Sequence, residues 1–154
     1  MNYFFIEVFL VGVYCTILAF FLSLSMNISL IFFFLLGFTK HILGFLLGFH
    51  DKYCNQGAAC LEKREKRGGQ YRALATHLLG ESIIEGFWFL ILGAIFLSIC
   101  EKWGGIYKKY GTYKENYMLF FVFVMGGFTH ILAEVFGLHD YFCEKNCLPR
   151  LPME

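Results

Sequence analysis

The chain has 154 residues, 58% of them hydrophobic, with 20 Phe against 16% charged residues and a formal net charge of +1. Apolar runs near the length of a bilayer crossing exclude a soluble globular domain and predict membrane spans. With no sustained basic face to neutralise phosphates, nucleic acid is excluded as a partner, and the lipid bilayer is expected instead.

The first predicted span runs from residue 3 to about 24, interrupted only by Glu7. A secretory signal would need a basic start and a shorter core, and Met1-Asn2 supplies no basic side chain, so a retained helix is expected despite Ser23-Leu24-Ser25. A polar turn at Ser25-Met26-Asn27 returns the chain into a second span, about residues 28–49, which carries Lys40 and His41. Residues 50–72 form a polar loop with Cys54, Cys60 and the mixed run Glu62 to Arg67, which reads as a solvated helical face ended by Gly68-Gly69. The third span, about 73–100, is polar in its first half. There His77, Glu81 and Glu85 recur every four residues and share a face. A loop rich in Gly, Tyr and Lys follows over 101–116, suited to the interface. The fourth span, about 117–138, contains His130 and Glu134, and a Cys-bearing tail completes the chain.

One stretch occurs twice. His41-Ile42-Leu43 through His50-Asp51 to Cys54 reappears as His130-Ile131-Leu132 through His139-Asp140 to Cys143, with seven of the fourteen positions identical. Apolar bias would repeat Leu and Phe by accident, but not two histidines, an aspartate and a cysteine in register. This predicts an internal duplication: an all-α integral membrane protein of four transmembrane helices, built as two duplicated parallel helical hairpins. Repeat 1–72 holds the first hairpin and the Cys/basic loop, and repeat 73–154 holds the second hairpin and the Cys-containing tail. Repeats with an even number of spans are related by a pseudo-two-fold axis along the membrane normal. Both termini and the Cys loop then share a side. Lys52, Lys63, Arg64, Lys66, Arg67, Arg72, Lys145 and Arg150 lie there, and the positive-inside rule makes that side cytoplasmic.

Three sets of residues are candidates for function. Gly37, Gly44 and Gly48, with Gly126 and Gly137 in the second copy, fall at helical spacing and predict close helix packing. Glu7, His41, Glu81, Glu85 and His130 form an expected intramembrane polar cluster, because an ionisable group in lipid needs a partner. Such a cluster can be a self-neutralising structural network, a proton relay or a metal site; His41 and His130 are also candidate axial ligands of a haem. Lys40 and Glu134 are expected to pair with each other or with that cluster. At the membrane edge, His50, Cys54, His139 and Cys143 offer two imidazoles and two thiolates, the ligand set of a closed zinc site, with Asp51 and Asp140 orienting them. Disulfides Cys54–Cys60 and Cys143–Cys147 are the alternative; they need an oxidising compartment, against the charge-based topology. Free thiols are the third reading. Cys15 and Cys100 sit in apolar runs as small core residues.

The Cys-x-x-Cys pair of thiol oxidoreductases is absent, as are a nucleotide loop, a Ser-His-Asp arrangement and a His-Glu-x-x-His helix, which points away from an enzyme. The expectation is a structural or accessory membrane subunit that anchors or organises a larger assembly through its Cys/His/basic face. Phe-rich multispan chains of this composition occur among organelle-complex subunits and in the membrane or capsid of large DNA viruses. The alternative is a metal- or haem-binding membrane carrier or redox protein that uses the duplicated His and Glu.

Overall fold

A computed structural model of the chain describes residues 3–57, 60, 71–102 and 113–149. The elements are α1 (Tyr3–Ser23), α2 (Leu30–Leu46), α3 (Phe49–Gln56), β1 (Tyr71–Ala73), α4 (Leu78–Lys102), α5 (Tyr113–Val135), α6 (Leu138–Lys145) and β2 (Cys147–Pro149). The protein is mostly helical. Tyr3–Ser23, Leu78–Ile99 and Tyr117–Val135 are each long and apolar enough to cross a membrane, and α2 with α3 makes a fourth candidate bent by 72°. At 1.5 Å per residue, a helix of this length matches a hydrocarbon core about 30 Å thick.

Local sequence explains where the helices begin and bend. Ser29 caps α2, its side chain accepting from the Phe32 backbone N–H. The two short helices α3 and α6 start in the same way. Gly48 and Gly137 adopt φ of 75° and 69°, a left-handed conformation that favours glycine, and each redirects the chain from a long helix into an eight-residue one.

Packing follows small residues. α1 lies mainly against α5 and α2 mainly against α4, while α1 and α2, joined by a tight turn, touch less. A Cβ on Gly37 would stand 2.6 Å from the Glu85 carbonyl oxygen, and one on Gly126 would stand 2.6 Å from Cys15 Sγ. Gly12 and Gly93 admit Phe123 and Phe33 in the same way. Backbones meet where side chains are absent, as helix association in lipid requires. Between these seams lies a core of Phe32, Phe33, Leu36, Phe89, Met118, Val122 and Met125, with Cys15 and Ala19.

The chain departs from expectation at three places. Gly48 and Gly137 have nothing within 4 Å of a built Cβ, so they turn the chain instead of packing helices. Gly44 faces the His50 ring at ordinary contact distance. The third long helix begins at Leu78, not near residue 73, because Tyr71–Ala73 is a strand and His77 lies in a turn. The expected helical face over 62–67, its Gly68-Gly69 stop and most of the 101–116 loop lie outside the described residues.

Candidate functional site

The polar side chains collect at one end of the bundle, under a small cap. Its frame is an antiparallel ribbon pairing Tyr71 with Pro149, Arg72 with Leu148 and Ala73 with Cys147. Asn55 on α3 clamps β1 by donating to the Tyr71 carbonyl (2.7 Å) and accepting from its N–H (2.9 Å). Asp51 Oδ1 accepts from the Ala73 N–H at 2.6 Å. These bonds satisfy backbone groups on the side of β1 that faces away from β2.

Two disulfides close the cap. Cys54 is bonded to Cys147 and Cys60 to Cys143, with Cα–Cα distances of 5.6 and 5.4 Å. Of the three readings of these cysteines, the disulfide alternative named other pairs: neither Cys54–Cys60 nor Cys143–Cys147 forms, because the ribbon and the short helices bring Cys54 and Cys60 against the tail. All four are buried with Tyr71 and Ala73. His50, Cys54, His139 and Cys143 are not gathered into one ligand group, since Cys54 and Cys143 are each bonded to a different sulfur. Among the described residues, no group of three or more His, Cys, Asp or Glu is arranged to hold a metal ion. Cys15 is a free, buried cysteine against Gly126.

Beneath the cap lie two charge networks. In the first, Lys40 on α2 pairs with Glu85 on α4 and sits 5.5 Å from the Phe89 ring centroid. His41 Nδ1 lies 2.8 Å from a Glu85 carboxylate oxygen and Nε2 lies 3.1 Å from one of Glu81. The network thus sets two carboxylates against the Lys40 side chain and the His41 ring. Asn146, fully buried between α6 and β2, donates to Glu81 and ties the network to the cap.

In the second network, His130 Nε2 on α5 faces Glu7 on α1 at 3.4 Å, and His139 Nδ1 on α6 faces Glu134 at 2.8 Å. The two imidazole centroids are 4.3 Å apart. Burial and the neighbouring His130 push the His139 imidazole below its ordinary range, against the pull of Glu134.

The five residues expected as one cluster are thus divided: His41, Glu81 and Glu85 in one network, Glu7 and His130 in the other. Lys40 and Glu134 do not pair with each other. An aromatic row joins the networks. His50 lies 4.6 Å from His41 and 5.5 Å from Phe142; Phe142 lies 6.0 Å from Tyr53, whose ring is tilted against His139 at 5.2 Å. Sequence reasoning missed Tyr53, Asn55 and Asn146. Only the position of Tyr53 opposite Phe142 in the repeated stretch singles any of them out.

Away from the cap, Val13, Thr16, Ile17, Leu119, Phe120 and Phe123 line an apolar groove between α1 and α5. The fold and site define a helical protein of the lipid bilayer with a disulfide-closed cap. Comparison with known protein families, with curated proteins and with solved structures found no match.

Proposed function

We propose that this chain is a structural or accessory multi-pass membrane protein that anchors or organises a larger assembly, with the disulfide-closed cap as its docking surface. The observation that carries this reading is that the Lys, His and Glu side chains of the two networks engage one another. Both ring nitrogens of His41 are engaged by carboxylates, Lys40 is held by Glu85, and His130 and His139 each face a carboxylate of their own. A carrier or redox protein would keep an open coordination position or a polar-lined cavity for its cargo; here the histidines hold other parts of the same chain. The groove beside α1 is apolar and suits lipid.

The architecture in this reading is two hairpins related by a pseudo-two-fold axis along the membrane normal. Its support is the crosswise pattern of contacts. Glu7 of the first repeat meets His130 of the second, while Glu85 of the second meets His41 of the first. Cys54 bonds forward to Cys147, and Cys143 bonds back to Cys60. The aromatics that meet in the middle, Tyr53 and Phe142, occupy matching positions of the repeated stretch. Exchange of partners between repeats holds together hairpins that lipid would not drive together.

The test is crosslinking in the native membrane with a lysine-reactive reagent, followed by peptide mapping, together with metal and haem analysis of detergent-purified chain. Crosslinks from the cap residues Lys52 and Lys145 to one recurring protein, with no stoichiometric metal or haem, are the expected result. A monomer free of crosslinks that carries one equivalent of metal or haem would replace this reading with the carrier alternative.

A further inference from the structure

The two helices that end in a left-handed glycine both leave apolar side chains bare at the bend. Around Gly48 these are Leu46, Leu47 and Phe49; around Gly137 they are Val135, Phe136 and Leu138. The six occupy the same three positions of the repeated stretch, and their exposures agree pair by pair: 69% and 72%, 60% and 64%, 46% and 49%. Each bend thus carries an apolar lip.

What covers the lips follows from continuity and from length. On α5, Phe120, Val124, Phe128, Ile131 and Val135 form one exposed stripe at helical spacing, which runs without a break into Phe136 and Leu138. That helix is apolar and of crossing length, so the stripe faces acyl chains and the lip continues the same surface. The stretches Leu30–Leu46, Tyr117–Val135 and Leu78–Ile99 have 17, 19 and 22 residues. At 1.5 Å per residue they measure about 25 to 33 Å, against a hydrocarbon core about 30 Å thick. α2 and α5 therefore reach the edge of the hydrocarbon at their bends, and α3 leaves α2 at 72°. Past the bends the exposed side chains turn polar, with Lys52 and Gln56 on α3 and Glu144 and Lys145 on α6. A charge inside the hydrocarbon is expensive, which keeps α3 from dipping back into it. Tyr141 on α6 and Tyr3, one turn before Glu7, are also exposed at this end, at the level where tyrosine side chains collect.

We propose that α3 and α6 lie along the membrane surface as a pair of interfacial helices, with the two apolar lips seated among phospholipid acyl chains just below the headgroups. α2 then crosses the bilayer by itself, and the disulfide-closed cap rests on lipid. A helix with one apolar edge and a polar remainder is held in that plane. A lip that recurs on both helix pairs fits a surrounding medium, as lipid is, better than a single partner. The lips also set a depth. Lys40, His41 and His130 precede them by five or six residues, which places both charge networks about 8 Å inside the hydrocarbon edge.

The proposal goes beyond the docking role above and stands or falls apart from it, because the cap can rest on lipid with or without a protein partner. The experiment uses the wild-type chain in nanodiscs that contain one of two photoreactive phospholipids, with a diazirine either near the ester or at the chain end. Adducts are located by peptide mass spectrometry after reduction. The expected result is that the probe near the ester labels residues 46–49 and 135–138 severalfold more than the chain-end probe, with the order reversed at Phe87 and Val124. Adducts at Phe87 and Val124 without any at the bends would overturn the proposal, since the lips would then stand in water or against a second copy. Chain-end adducts over residues 49–56 would also overturn it, making α3 a re-entrant helix. A water-borne acylating reagent gives a second reading. Lys52 and Lys145 should react in nanodiscs as readily as in detergent, and protection of Lys52 by the nanodisc would place α3 inside the bilayer and sink the idea.

Discussion

At the scale of residues, the two networks differ in how they respond to loss of a partner and to acid. Lys40 and Glu85 neutralise each other away from water. Removing Glu85 leaves the Lys40 ammonium buried and unpaired, which costs on the order of 3–5 kcal/mol; removing Lys40 leaves Glu85 with His41 alone, and removing both can be nearly neutral. Glu85→Gln and Lys40→Met should each lower the melting temperature in detergent markedly, and the double variant should recover much of the loss. Simple addition of the two losses would show that the groups act independently. His139 predicts an acid response. Burial and His130 hold its folded-state value below the unfolded one, so the unfolded chain binds the extra proton more readily. The stability this contributes is complete above the ordinary histidine value of about 6.5 and is lost as pH falls through the folded value. Melting temperatures of the wild type should therefore decline on acidification below that value, and His139→Gln should decline less. Equal slopes would assign the acid response to another group.

At the scale of elements, the glycines of the repeated stretch separate into two jobs that spacing alone merges. Gly37 and Gly126 lie at the seams, where an added methyl group meets a backbone oxygen or a sulfur. Gly48 and Gly137 lie at the bends, with open space around them and positive φ. Alanine at a left-handed position costs about 1–2 kcal/mol, and asparagine tolerates that conformation better. Gly48→Asn should thus be milder than Gly48→Ala in thermal unfolding, although asparagine is larger. At Gly37 the order should reverse, since any side chain meets Glu85 and Phe89. A penalty at Gly48 that rises with side-chain size would show packing there after all. The same contrast explains what was legible in the sequence. Membrane-length apolar runs announce the long helices, because lipid imposes a length and a composition. Three-residue strands such as Tyr71–Ala73 carry no periodic signal, and a helix turn containing Gly reads alike whether the glycine packs or bends. The polar residues of the site were legible as types, Glu and His in lipid. Their division into two networks was not, because it depends on α1 packing against α5 and α2 against α4.

At the scale of the whole molecule, the disulfides and the basic residues oppose each other over which compartment the cap faces. Charge bias favours the cytoplasm for the side bearing Lys52, Arg72 and Lys145. Two bridges favour an oxidising compartment. The bridges join segments 93 and 83 residues apart and act together with the ribbon, so the state of the four sulfurs is what separates the two compartments. Closing the first such loop stabilises by about 4–5 kcal/mol in the chain-entropy account, and the second, now closing only about ten residues of chain, adds about 3 kcal/mol. Impermeant maleimide applied to sealed vesicles should leave Cys54, Cys60, Cys143 and Cys147 unlabelled until an impermeant reductant and mild denaturant are added on the oxidising side. Labelling from the cytoplasmic side without reductant would return the cap to the cytoplasm as free thiols. Paired variants then test the connectivity. Cys54→Ser with Cys147→Ser removes one bridge and should leave Cys60 and Cys143 protected from alkylation. Cys54→Ser with Cys143→Ser removes one sulfur from each bridge, and should expose Cys60 and Cys147 to alkylation and lose most of the stabilisation from both. Local pairing gives a different pattern: Cys54→Ser with Cys60→Ser would then leave Cys143 and Cys147 bridged, whereas the crosswise arrangement predicts that this variant presents two reactive thiols.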